Sequence, residues 1–218
     1  MTVSPRTTTP VAARAGTPAP AAARGRPPGI VARVDLPYPD PDLCDEVVRL
    51  RRWRPTDIGC IRGAASDPRI PAGTTVPSEV TTASGHAFIR RQWSRAERGE
   101  GLSLAVANVR TDEACGLVVL LRRPQPGVVG IGYWTVPSAR DRGVATQAVR
   151  LASTWAVLDA GRARVEAWVD PCNAASLRVL ARAGFAREGV LRDFLQIGGR
   201  RNDAVVCSLV AGDLGPGS

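Results

Sequence analysis

"GYWTVPSARDRGVATQAVRLASTWA", residues 132–156, passes from an apolar, β-prone run through a proline and a knot of charged and small residues into a long apolar-striped segment. Tyr133, Trp134, Thr135 and Val136 favour a strand, and Pro137 ends its ladder because it has no N–H to donate. Beyond the loop, Val144, Ala148, Leu151, Ala152, Trp155 and Leu158 recur at helical spacing up to a closing glycine, Gly161. The stretch reads as strand, tight loop, helix. A helix's first turn carries backbone N–H groups with no partner inside the helix, at the positive end of its dipole. Gly143 and Ala145 keep the side chains small at that point, so the pattern predicts a phosphate or pyrophosphate site over Arg140–Ala145. Pro137 also predicts that the strand before it splays from its next neighbour. That leaves a slot whose free backbone groups bond an extended, amide-containing ligand as an added strand would.

Strands and helices alternate on both sides of this stretch. Upstream, residues 47–53 alternate as a half-buried strand, and 56–66 and 86–100 read as helices. Residues 102–109, 114–122 and 128–136 are β-rich runs joined by hairpin connections. Downstream come a strand at 164–170, a helix at 173–185 and a terminal hairpin turning at Gly198 and Gly199. The predicted class is α+β (mixed α/β): a central mixed sheet of about seven strands flanked by helices, splayed at the middle strands. Residues 68–85, rich in Pro, Gly and Thr, are expected to form a mobile loop.

Residues 47–211 are expected to form one domain, preceded by a disordered Pro/Ala-rich tail and linker over 1–46 and followed by a short flexible end, 212–218. The first 46 residues carry five arginines and five acids, so the formal net charge of +9 belongs to the rest of the chain. That charge steers anionic ligands toward the surface. Nucleic acid ranks last as a partner, because aromatic side chains, at 5%, are too few to build stacking platforms. No apolar run is long enough to span a bilayer, so no membrane role is expected. Five cysteines stand singly without a CxxC pair, and one histidine, His86, cannot build a multi-histidine site. A reduced cytoplasm and no metal are therefore expected.

Residues 132–156, with "RVEAWVDPCNAASLRVLARAGFAREGVLRD" at 164–193, resemble the GNAT superfamily of acyl-CoA-dependent N-acyltransferases. The similarity is greatest to the branch of ribosomal-protein N-terminal alanine acetyltransferases and spans roughly residues 47–210. It rests on Arg140, Gly143 and Ala145 of the loop motif and on the Asn-x-x-Ser pattern at Asn173 and Ser176.

The resemblance implies that backbone amides of Arg140, Asp141, Arg142, Gly143, Val144 and Ala145 hold the pyrophosphate of acetyl-CoA, the co-substrate. Trp134, Thr135 and Val136 would line the pantetheine slot, and Asn173 would hydrogen-bond the pantetheine arm. The implied chemistry is direct attack of a primary amine on the thioester carbonyl, with a backbone N–H near Val136 stabilising the oxyanion. Many members carry a tyrosine seven residues after the Asn to protonate the departing thiolate. Here that position is Leu180, and Ser176 becomes the candidate acid, beside an alternative role as a helix-packing hydroxyl. Glu166, Glu79 and Glu113 are acids near the expected site, none assignable as a base; Cys172 lacks a histidine partner that would activate it. The branch implies a protein N-terminal amine as acceptor. Small amines such as polyamines or aminoglycosides, and a silent acyl-CoA-binding module, stand as alternatives, and a homodimer is compatible with the fold.

Overall fold

The computed structural model describes residues 36–215, so the part of the expected tail over 1–35 and the last residues, 216–218, lie outside the described residues. In chain order the elements are β1 (Leu43–Cys44), β2 (Val48–Arg51), α1 (Ile58–Ala65), α2 (Arg69–Gly73), α3 (Thr82–Glu97), β3 (Gly101–Asn108), β4 (Ala114–Arg122) and β5 (Val128–Thr135). They continue with α4 (Val144–Leu158), β6 (Arg164–Val169), α5 (Ala174–Arg182), β7 (Ala186–Ile197) and β8 (Arg200–Leu209).

The strands form one eight-stranded sheet in the order β1-β2-β3-β4-β5-β6-β8-β7. Every neighbouring pair is antiparallel except β5 and β6, the pair that α4 connects. β1 exceeds the expected set because Asp45 builds a turn in the segment read as linker. Its carboxylate accepts the N–H groups of Val47 and Val48, each at 2.7 Å, and folds Leu43–Cys44 back onto β2. Leu36, in the same segment, is buried in the core.

Each face of the sheet has its own core. Val129 and Ile131 of β5 join Val144, Ala148, Ala152 and Trp155 of α4 and Leu180 of α5 on one face. Trp134, with Leu117 of β4, joins Trp53, Ile61, Phe88 and Ile89 on the α1–α3 face. β3 is buried on both faces from Gly101 to Ala107, Ser103 included. The buried charge on Arg51 is offset by bidentate bonds to Asp57, both 2.9 Å, and by Asp112 Oδ1 at 3.0 Å. This ties β2 to the start of α1 and to the β3–β4 turn.

Two expectations need correction. The supposed mobile loop at 68–85 contains α2 and the first turn of α3. Thr81 Oγ1 accepts the Ser84 N–H at 3.1 Å while Ser84 Oγ accepts the Thr81 N–H at 3.0 Å, a reciprocal cap in which serine takes the place usual for glutamate. Gly85 fits inside this helix because a Cβ there would stand 3.0 Å from the Ile58 side chain. On α4, Leu158 is 55% exposed, whereas Val149, Ser153, Ala156 and Val157 are buried. The buried face is centred between Ala152 and Ala156, and at about 100° per residue Leu158 projects roughly 120° from Ala152.

β5 and β6 pair at only three rungs, Val128 with Arg164, Val129 with Val165 and Gly130 with Glu166. Beyond Gly130, β5 stays on β4 to Thr135 and β6 stays on β8 to Val169. The expected splay therefore opens beside Ile131–Thr135, and the loop at 137–143 lies at its wide end.

Candidate active site

The loop between β5 and α4 is set by local sequence. Pro137 starts a single 3-10 turn, Pro137–Ala139, closed by the Arg140 N–H on the Pro137 carbonyl at 3.3 Å. Asp141 (φ 59°) and Gly143 (φ 76°) then take left-handed conformations, and Gly143 stands immediately before α4. An asparagine or aspartate accepts such a φ better than other side chains do, and glycine accepts it freely. No atom lies within 4 Å of where a Cβ on Gly143 would stand, so its backbone faces open space. Gln147 is the first amide of α4 with a main-chain acceptor, the Gly143 carbonyl at 3.0 Å. The N–H groups of Asp141 through Thr146 bond to no acceptor among the described residues. A pocket of about 310 Å³ opens alongside, lined by Gly143, Thr146, Gln147, Arg150 and Arg182.

Arg140 differs from the expectation that its amide is free, since that N–H closes the turn. Its side chain is a strut instead: Nη2 donates to Asp67 Oδ2 at 2.6 Å. Asp67, 8% exposed, also receives the Arg69 backbone N–H at 3.0 Å and Arg69 Nη2 at 2.9 Å. Hydrogen bonds from Arg69 and then Arg140 hold the Asp67 carboxyl well below the usual carboxylate range. The loop is thus braced against the start of α2.

Strand alternation decides which backbone groups face the gap. The Val136 N–H donates to the Cys115 carbonyl at 2.9 Å, so it points at β4 and away from the gap. The N–H and C=O groups of Tyr133 and Thr135, on alternate residues, point the other way, toward the open side. The Val136 N–H is therefore turned from the gap, and the nearest N–H on the gap side of β5 is that of Thr135. Trp134 and Val136 contribute buried side chains on the α1–α3 face.

Asn173 and Ser176 meet as the spacing predicts. Asn173 Oδ1 caps α5 by accepting the Ser176 N–H at 3.1 Å, which leaves its side-chain NH₂ for another acceptor. The sequence reading missed Tyr133. Its hydroxyl lies 2.6 Å from Ser176 Oγ and also donates to the Ser176 carbonyl at 3.1 Å. Burial pushes the phenol up to about 12. Leu180, the position where the resemblance leads one to expect tyrosine, is fully buried in the core, and the phenol that reaches α5 is Tyr133 of β5. Only the residue type and its place on the strand before Pro137 hinted at this.

Among the acids, Glu166 stands at the last β5–β6 rung, and Arg164 Nε donates to it at 2.8 Å. Glu79 and Glu113 are exposed, Glu113 in the β3–β4 turn. Cys172 is exposed and unpaired, and no group of three or more potential metal ligands occurs among the described residues. On the α3 face a second pocket of about 240 Å³ lies between α3 and β4–β5, its walls including Phe88, Gln92, Arg95, Leu117, Gly132 and Trp134.

Residues 48–186 match the family described as acetyltransferase (GNAT) domain. A probable N-acetyltransferase, YjcK of Bacillus subtilis, is 32% identical over 121 residues, 55% of this chain and 67% of its own length. The structure of Mycobacterium smegmatis RimJ in complex with CoA-disulfide superposes with a TM-score of 0.69 at 24% identity, covering 78% of this chain and 84% of that one. The ribosomal-protein-S5-alanine acetyltransferase of Vibrio fischeri gives a TM-score of 0.65 at 20% identity over 80% of this chain and 99% of that one. The chain belongs to the GNAT acetyltransferase family and is an acyl-CoA-dependent N-acyltransferase.

Proposed function

Within that family, we propose that the chain transfers the acetyl group of acetyl-CoA to a primary amine, and that the amine is a peptide N-terminus. The observation that carries the coenzyme's placement is the run of unbonded amides from Asp141 to Thr146 at the start of α4, beside open space at Gly143. The diphosphate would lie there, the pantetheine arm would add along the gap-facing edge of β5, and the Asn173 NH₂ would hold an arm carbonyl. The CoA-disulfide named with the RimJ structure supports coenzyme A as the ligand class.

In the reaction the amine nitrogen bonds to the thioester carbon and the carbon–sulfur bond breaks. Thr135 N–H, on the gap side of β5, is placed to stabilise the carbonyl oxygen as it gains charge. Ser176 Oγ–H gives its proton to the thiolate. At rest the single proton of Tyr133 bonds the Ser176 carbonyl and the phenol oxygen receives Ser176 Oγ–H; on transfer the phenol, protonated up to about 12, swings its proton to Ser176 Oγ as that oxygen gives its own to the thiolate, and recovers one from solvent. The amine attacks in its neutral form, its proton having passed to solvent water; Glu166, bonded to Arg164 at the Gly130 rung, stands five residues along β5 from Thr135 and takes no part in that transfer. The five free cysteines support a reducing cytoplasm as the working compartment.

The direct test follows thiol release from acetyl-CoA with alanine-headed peptides and a panel of small amines, with mass spectrometry to locate the acetyl group. Acetylation of the peptide N-terminus supports the reading. Turnover with polyamines or aminoglycosides but not peptides overturns the acceptor assignment, and absence of CoA binding overturns the site.

A further inference from the structure

The acceptor side of the gap has an unusual charge pattern for an enzyme that receives a cation. The pocket between α3 and β4–β5 reaches Gly132, Tyr133 and Trp134, the β5 residues beside the gap. Among the residues that line it, the charged one is Arg95, and no carboxylate is present. Arg95 is half-buried and forms no ion pair among the described residues. Its Nε donates to Gln92 Oε1 at 3.3 Å, and Gln92, 1% exposed, is fixed in turn by its own bond to the Phe88 carbonyl at 3.2 Å. Glu100, whose field reaches Arg95, is clamped by Arg98 through Nε at 2.6 Å and Nη2 at 2.9 Å. Burial and the neighbouring Arg91 and Arg98 lower the Arg95 pKa, opposed by Glu100.

A second guanidinium borders the same face. Residues 117, 119 and 121 share one side of β4, and Arg123, the residue after the strand, keeps that alternation through its N–H on the Val128 carbonyl at 3.3 Å and so follows Leu121 beyond the pocket wall. Its guanidinium lies 3.6 Å from the Trp168 ring centroid and occupies the space a Cβ on Gly130 would need, at 2.3 Å. Its Nε is buried without a hydrogen-bond partner. Two partly desolvated guanidiniums therefore border this side of the sheet, neither bonded to a carboxylate, with Glu166 reaching Arg123 through its field alone.

We propose that the acceptor carries a carboxylate close to its amine, and that Arg95, oriented by Gln92, receives that carboxylate in the α3–β4–β5 pocket. This deepens the N-acetyltransferase reading and rests on it. Arginine's planar fork matches a carboxylate bidentately, and the apolar walls strengthen the pairing by excluding water. The same charge disfavours polycationic amines, which would bring like charge to an already desolvated cation. The carboxylate has two sources: an acidic side chain near a peptide N-terminus, or the acid group of a small amino acid.

The test compares kcat/KM for amidated peptides that begin with alanine and differ only in Glu, Gln or Lys at the second and third positions, alongside free amino acids and dipeptides. The acidic peptide is expected to exceed the Gln peptide by about tenfold or more, with Lys lowest. Arg95→Gln should remove that preference while leaving the Gln peptide and acetyl-CoA affinity within about twofold; Arg95→Lys should restore it only in part. Free amino acids matching the acidic peptide would assign the carboxylate to the small-molecule source. Equal rates for Glu and Gln peptides, or an equal loss on all acceptors in Arg95→Gln, would overturn the proposal while leaving acetyl transfer standing. Failure of every amine would strike the underlying reading instead.

Discussion

Replacing Asp67 with asparagine probes the brace that positions the coenzyme loop while nearly preserving shape. Asp67 receives Arg140 Nη2 at 2.6 Å, and the side chains of the pair are 9% and 33% exposed. The amide has one acceptor oxygen in place of two and no charge, so the bond to Arg140 loses its ionic component and the bonds to Arg69 must compete for what remains. Hydrogen bonds to charged groups contribute about 1.5–3 kcal/mol, and Arg140's partial exposure puts the loss near the low end, roughly 1–2 kcal/mol. Since each 1.4 kcal/mol is a factor of ten, acetyl-CoA affinity should fall by about fivefold to thirtyfold if that energy orders the amides of 141–146. Calorimetric titration reads the change directly, and a thermal melt separates it from global unfolding. An affinity within twofold of the wild type, with the melt lowered, would show that the Asp67–Arg140 pair stabilises the fold without shaping the coenzyme site.

Other expected outcomes concern the acid, the backbone and pH. Ser176→Ala should lower kcat with acetyl-CoA affinity largely retained, and Tyr133→Phe should lower kcat in the same way. The double variant should be no slower than Ser176→Ala alone, and additive losses would refute the coupling between the two hydroxyls. Gly143→Ala meets no atom but must hold φ at 76°, so denaturant titration should show a loss of about 1–2 kcal/mol, whereas Gly143→Glu should also abolish coenzyme binding. At Gly116 a Cβ would stand 2.5 Å from the Trp134 carbonyl, so Gly116→Ala should lower the melting temperature by forcing β4 from β5; an unchanged melt would contradict this packing. Arg164 and Ser208 hold Glu188 down to about 2, and Arg69 and Arg140 depress Asp67. Both carboxylates therefore stabilise the fold above their unfolded values near 4, and that stability is lost as pH falls through the folded values. Melts between pH 5 and pH 2 should drop less steeply in Asp67→Asn and Glu188→Gln than in the wild type, as estimated from this linkage.

Much of the fold was legible because periodicity reports burial. The run at 101–107 is apolar but for Ser103 since β3 is covered on both faces there, and residues 164–169 alternate since β6 is covered on one. Pro137 marked the end of β5, and Gly143 marked the turn into α4, because each residue's backbone restriction acts locally. Features that depend on tertiary partners stayed hidden. β1 needs the Asp45 carboxylate and an edge to pair with, and the α3 start hides behind a serine cap. Nothing in the local pattern tells that Arg140 reaches Asp67, that the Val136 N–H faces β4, or that Tyr133 meets Ser176. Each of these is fixed by which face a strand presents after the sheet assembles. The pocket at Arg95 is likewise invisible in "QWSRAERGE", where its arginine reads as one more surface charge at a helix end.

Coenzyme binding depends most on the main-chain amides before and within the first turn of α4. Hydrogen–deuterium exchange across residues 139–147, with and without saturating CoA, tests it most directly. The amides of 141–146 should exchange at least about tenfold more slowly once the coenzyme is bound, with little change over the α1 amides. Bound CoA that leaves the exchange of those amides unaltered would contradict that dependence.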